Sequence, residues 1–229
     1  MTIKVAICAP LRVHVHFEAA FCAMRACTAL RDAGFEQCYF YVPGTALLEH
    51  VRSKIACDAL DWGAEVLLWV DDDITFDPHE AVKLVRGALL TQSMVAGVCA
   101  LRGASRVNVS FTEKSSKVRF FDGGGLNKVD NAGCGMTAIH RSVFERLREE
   151  WEPVVIYDKV RVPYYRTLFW DGAWPGEDYS FSRLMTHCGL QPYADTSIHV
   201  THHGSYGFRV EDVLKGFGAN LSTVEVDTD

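Results

Sequence analysis

The sequence predicts an α/β fold in which a mostly parallel central sheet carries helices on both faces. Three observations lead there. Continuous apolar, β-rich runs alternate with helix-periodic stretches throughout the N-terminal half. Glycine or proline stands where those stretches need a cap or a stop. The chain has 229 residues, 48% of them hydrophobic, enough to fill one full-sized core, and its 23% charged content excludes a mostly disordered polymer.

The elements follow in order. IKVAICAP is a continuous apolar run closing at Pro10, a buried first strand. Phe17 to Arg31 is alanine-rich and helical, with Gly34 at its C-terminal cap. Cys38 to Val42 is a second strand stopped by Pro43-Gly44. Apolar residues at 47, 48, 51, 55, 56, 59 and 60 mark a helical stripe ending before Gly63. Glu65 to Val70 is a third strand. Pro78 then opens a helix, PHEAVKLVRGALL, with acid in its first turn and Asp77 placed to cap it. Ser93 to Leu101 is strand-like again. After Arg102 the texture changes. Val107 to Thr112 and Lys117 to Asp122 read as short antiparallel strands, and Gly123 to Gly125 as a hinge or loop. NAGCGMTAIH, from Asn131 to His140, passes through two glycines into a strand, and Arg141 to Glu150 is helical. The stretch 151–174 has no assignable period. Gly176 to Cys188 is a helix ending at Gly189. A single domain is expected over residues 1–221, with 222–229 a flexible acidic tail.

Composition narrows the class. A net charge of −6 argues against a broad nucleic-acid face. No apolar run approaches the roughly 20 residues of a membrane span. The brief apolar start gives way quickly to Arg12 and His14, unlike a signal peptide. Eight cysteines without a CxxC pair read as buried thiols in a reducing compartment, so a cytoplasmic protein is expected.

Three short stretches carry candidate chemistry. LLWVDDDITFDP ends a predicted strand in three aspartates, whose mutual repulsion and lost hydration need an offset. In an extended segment Asp71 and Asp73 share a face, a hard-oxygen site for Mg²⁺ or Mn²⁺ at the strand end where such sheets bind ligands. The same run also reads as a solvated acidic loop. WPGED opens a helix with Glu177 and Asp178, either dipole-stabilised acids or the seat of a general base. SIHVTHHG holds His199, His202 and His203, either structural or offering one imidazole to a metal shell.

The order of these parts resembles that of the GT-A fold, nucleotide-sugar-dependent glycosyltransferases, with a Rossmann-like sheet. The matching pieces are the strand to Pro10, VRSKIA, LLWVDDDITFDP as a DxD motif, VAGVCALR, NAGCGMTAIHRSVFERL, WPGED as the late acidic motif and DTSIHVTHHG. The segment LRVHVHF departs from the polar stretch of many members, and 151–174 matches none. The resemblance implies a nucleotide-sugar-binding half over 1–102 and an acceptor and catalytic half over 103–221. It places Asp71, with Asp72, at the nucleotide or the ion, and Asp73 on the ion. His202 would complete the ion's shell, with His203 and His199 as fallbacks. Arg52, Pro10 and Arg12 would approach the nucleotide. Asp178 would be the catalytic base and Glu177 would orient the acceptor.

The implied donor is a nucleotide diphosphate sugar, UDP-sugar favoured, with Mn²⁺ or Mg²⁺ and a hydroxyl acceptor, reacting with inversion. Rival readings are the same chemistry on a nucleic-acid base, a metal-dependent nucleotidyltransferase or phosphohydrolase, and an inactive binding module. The basic run Lys114, Lys117 and Arg119 would serve the first. The chain contains no GxxxxGK[ST] phosphate loop for the second.

Overall fold

A computed structural model describes residues 2–11, 16–43, 47–101, 106–112, 117–170, 172–204, 207–215 and 224–227. The N-terminal half follows the expected alternation: β1 (Lys4–Leu11), α1 (Phe17–Asp32), β2 (Glu36–Pro43), α2 (Leu48–Asp61) and β3 (Val66–Val70). A short β4 (Ile74–Phe76) precedes α3 (Pro78–Thr91) and β5 (Met94–Gly97). The second half runs β6 (Val109–Phe111), β7 (Lys117–Phe120), β8 (Leu126–Ala132), β9 (Met136–His140), α4 (Arg141–Arg148), β10 (Val154–Ile156) and β11 (Lys159–Arg161). It ends with α5 (Glu177–His187), β12 (Tyr193–Asp195), β13 (Val200–His203), β14 (Gly207–Arg209), α6 (Val210–Lys215) and β15 (Val224–Asp227).

Helix ends obey the capping chemistry. The Asp77 carboxylate accepts from the His79 amide at 2.9 Å, closing the first turn of α3 behind Pro78. Gly34 and Gly63 follow α1 and α2 with φ of +90° and +92°, the left-handed conformation that leaves a helix without a Cβ penalty.

The central sheet has eight strands in the order β2-β1-β3-β9-β5-β12-β8-β6. β1 pairs in parallel with β2 and β3, and β12 with β5, while β9 and β8 run against their neighbours. Strand periodicity divides the core in two. Val5, Ile7, Val66, Leu68 and Val70 pack with Leu30 of α1 and Leu84 of α3. The alternate residues Ala6, Cys8, Leu67 and Trp69 pack with Ile55 of α2, Phe144 of α4 and Phe181 of α5.

The second half pairs strands that lie far apart in sequence. The 107–112 and 117–122 stretches do form antiparallel strands, but not with each other: β6 pairs with β8, and β7 with β15. The acidic C-terminal stretch, expected to fray, thus places Val224–Asp227 on a strand edge, its VEVD alternation having strand period despite its charge. Within 151–174, β10 and β11 form a hairpin whose turn residues Tyr157 and Asp158 have φ of 48° and 64°. Among the described residues, no helix is long and apolar enough to cross a membrane.

Candidate functional site

The aspartate triplet sits where β3 leaves the sheet. β3 stops at Val70, and the Ile74 amide donates back to the Asp71 carbonyl at 3.2 Å, so Asp71 to Ile74 is a tight turn rather than extended strand. The alternation argument for Asp71 and Asp73 therefore does not apply here. Asp71 and Asp73 meet different partners.

Asp71 points to the α2 face of the sheet. Its Oδ1 accepts from Arg52 Nη2 at 2.8 Å, and its backbone amide donates to the Gly135 carbonyl at 2.9 Å. Arg52 is 1% exposed and also donates from Nε to Glu177 Oε1 at 3.1 Å, with its guanidinium 5.3 Å from the Trp69 ring. One arginine of α2 thus ties the end of β3 to the start of α5, and its bond to Glu177 spans 125 residues of sequence. Burial favours a neutral guanidine, but the Asp71 carboxylate, with Glu177 and Asp178 beyond it, holds the Arg52 pKa above its usual value. Its Nη1 is buried without a hydrogen-bond partner. The residue expected to approach a nucleotide is sealed beneath the carboxylates and braces them.

Asp71 pays electrostatically for that position. Burial pushes its carboxyl from 3.8 up to about 6, Arg52 opposes the rise, and the neighbouring Asp73 adds to it. Asp72 and Asp73 are 5% and 7% exposed.

A small sheet, β14-β13-β4, brings the histidine segment to the triplet. β13 runs antiparallel to β4 with His202 opposite Ile74 and Thr201 opposite Thr75. His202 therefore shares the inward face with Ile74, and its Nε2 lies 3.5 Å from Asp73 Oδ2. Its Nδ1 is 3.0 Å from the Ala100 carbonyl, which only accepts, so Nδ1 carries a proton and Nε2 is the ring nitrogen turned towards Asp73. His203, one residue on, faces the opposite side, where its Nε2 meets Thr75 Oγ1 at 2.7 Å and burial lowers its pKa. His199 stacks on Phe121 at 4.5 Å, with Nδ1 3.5 Å from Glu211. His202 is the imidazole that sets a ring nitrogen 3.5 Å from the Asp73 carboxylate.

Asp178 occupies the first turn of α5. Its Oδ2 accepts from the Cys134 amide at 3.2 Å and its Oδ1 from its own neighbour Tyr179 at 2.7 Å. A Cβ on Gly133 would stand 3.0 Å from Oδ2, so glycine there leaves room for the carboxylate. The Gly133–Gly135 loop touches both Asp178 and Asp71 through its backbone. Buried Asn108 supports it, accepting from the Cys99 amide at 2.8 Å through Oδ1 while its carbonyl accepts from Gly133. Asn108, Ala100 and Thr75 had no sequence signal, because each acts through a backbone or single-atom contact. Pro10 is buried near the end of β1, two residues beyond the Cys8–Trp69 pair, on the same sheet edge as the triplet. Arg12 lies outside the described residues.

The chain matches no protein-family profile and no curated protein. It does share its fold with a solved structure. "Crystal Structure of A197 from STIV" superposes with a TM-score of 0.54 at 17% identity, covering 88% of this chain and 86% of that one. At that identity the likeness concerns the fold alone. Weaker superpositions include "a glycosyltransferase involved in the glycosylation of the major capsid of PBCV-1", at a TM-score of 0.36 and 16% identity over 62% of each chain. Another is the "inositol-1-phosphate CTP transferase from T. maritima", at 0.43 and 12% over 89% of this chain and 90% of that one. Neither of these two carries any argument about activity.

Proposed function

We propose that this chain is a nucleotide-sugar-dependent glycosyltransferase that moves a sugar from a nucleotide diphosphate, UDP favoured, to a hydroxyl acceptor with inversion. The observation that supports the reading is the meeting of three sequence-distant acidic and imidazole segments at the carboxyl end of β3. Arg52 joins Asp71 to Glu177, and His202 faces Asp73 at 3.5 Å.

The donor set suits a divalent ion, Mn²⁺ or Mg²⁺. Ligands at about 2.1 Å from one ion stand roughly 3.0 to 3.5 Å apart, and a carboxylate with a neutral imidazole is a fitting pair. Bound there, the ion would neutralise the charge that develops on a departing diphosphate. Asp71 and Asp73 supply anionic charge, Ala100 fixes the tautomer of His202, and Arg52 keeps Asp71 and Glu177 from separating. Asp178 is the base. As the acceptor oxygen bonds to the anomeric carbon, its proton passes to the Asp178 carboxylate, and the electron pair of the broken glycosidic bond leaves with the diphosphate.

Asp73→Ala tests the reading. The wild type is expected to bind UDP more tightly with Mn²⁺ than without, and to release UDP slowly from UDP-sugar; the variant should lose both. Unchanged Mn²⁺-dependent UDP affinity in the variant would remove the metal role. Release of pyrophosphate from a nucleoside triphosphate in place of UDP release would assign the site to nucleotidyl transfer.

A further inference from the structure

We infer that His16, Glu18 and His203 form a second cation site, nitrogen-rich and suited to a borderline transition ion such as Zn²⁺, on the outer side of the aspartate turn. Each of the three offers one ligand atom, and those atoms lie within 4.8 Å of one another. No other group of three such residues among the described ones meets that spacing. His16 sits at the start of α1, Glu18 is exposed in its first turn, and His203 comes from β13, so the cluster joins segments far apart in sequence.

Independent features point to a ligand. His16 Nδ1 is buried with no hydrogen-bond partner, although a buried polar atom is costly when left unsatisfied. The His16 side chain makes no cap bond to α1, so helix capping does not account for it. The His16 and His203 side chains are in contact, 4.2 Å between ring centroids, which brings α1 and β13 together here. Thr75 holds the His203 ring through Oγ1 at 2.7 Å, the outer-shell restraint that metal-binding imidazoles generally have.

The chemistry separates this site from the one at Asp73. Two imidazoles and one carboxylate favour Zn²⁺ and its neighbours in the transition series, whereas oxygen-rich sets favour Mg²⁺ or Mn²⁺. The positive end of α1 works against a cation, and Glu18 supplies compensating charge in the same turn. The placement suggests what the ion does. The His16 amide donates to the Asp72 carbonyl at 3.1 Å and the His203 amide to the Asp73 carbonyl at 2.7 Å. An ion joining the two imidazoles would clamp the backbone of the aspartate turn from behind.

The test is titration of the full chain with Co²⁺ alone, a spectroscopic stand-in for Zn²⁺, followed by its ligand-field absorption. The wild type should take up one Co²⁺ here in addition to any bound at Asp73, and Asp73→Ala should still take up one, with a nitrogen-rich spectrum. His16→Ala should lose that spectrum, Thr75→Val should weaken binding about 10- to 100-fold, and His202→Ala should leave it intact. Glu18→Gln, at an exposed position, gives the same comparison in a variant whose fold is not at stake, with at least about tenfold weaker binding expected. A wild-type spectrum and affinity in both His16→Ala and Glu18→Gln would overturn the inference. So would loss of the spectrum in His202→Ala, which would place the ion at Asp73. Because Asp73 and His202 contribute nothing to the expected signal, the site can fail while the proposed transfer activity stands, and the reverse.

Discussion

Asp71 is the residue through which pH should reach this site. Its carboxyl is raised from 3.8 to about 6 in the fold, chiefly by burial. The folded state therefore prefers the protonated form more than the unfolded chain does. The sign follows: above about pH 6 the ionised carboxylate costs stability relative to a neutral side chain, and the cost is relieved as pH falls through 6 towards 3.8. The difference of about two units corresponds to roughly 3 kcal/mol at pH 7.5 and roughly 1 kcal/mol at pH 4.5. These are upper values, since the side chain is 26% exposed. The assay is urea unfolding of the wild type and Asp71→Asn across that range, because asparagine keeps the shape and removes the titration. The stability of the wild type relative to the variant should improve by up to about 2 kcal/mol between pH 7.5 and pH 4.5. Saturating Mn²⁺ should flatten this slope if the ion stabilises the carboxylate. A difference that stays flat, or that moves against the wild type on acidification, would show that the Arg52 ion pair outweighs desolvation and would refute the reasoning.

Other outcomes follow from the same geometry. Arg52→Met should destabilise the fold by about 3 to 5 kcal/mol in denaturant unfolding, since it leaves Asp71 and Glu177 facing one another without their cation. Adding Asp71→Asn to that variant should recover part of the loss. Asp178→Asn should keep UDP and Mn²⁺ binding while lowering sugar transfer by about 10²- to 10⁴-fold, measured by product mass spectrometry with a competent acceptor. Gly124→Ala should lower the melting temperature, corresponding to about 1 to 3 kcal/mol. Its Cβ would stand 2.7 Å from the Ser197 amide and the Thr196 carbonyl carbon, so backbone must shift. That packing also argues against the expectation that 123–125 act as a hinge.

How much could be read beforehand differs by region. β1 to β5 were legible, apart from β4, because buried parallel strands are continuous apolar runs and their helices carry glycine or proline punctuation. β4 and β12 were not, since each has three residues, too few to display a period. The β10–β11 hairpin escaped because its turn uses Tyr157-Asp158 in place of the Asn-Gly or Asp-Gly that signals such turns.

Sequence alone determined the fold class and which acids and histidines were candidates, because apolar period and clustered charge are local properties of a chain. It had no means of choosing among His199, His202 and His203. Which of them turns towards Asp73 follows from the antiparallel register of β13 against β4, where a shift of one residue would exchange the faces of His202 and His203. Nor did it show that Arg52 lies beneath Asp71 and Glu177, or that His16 meets His203. Those are contacts between segments far apart in sequence, and they exist only once the sheet has brought its strand ends together.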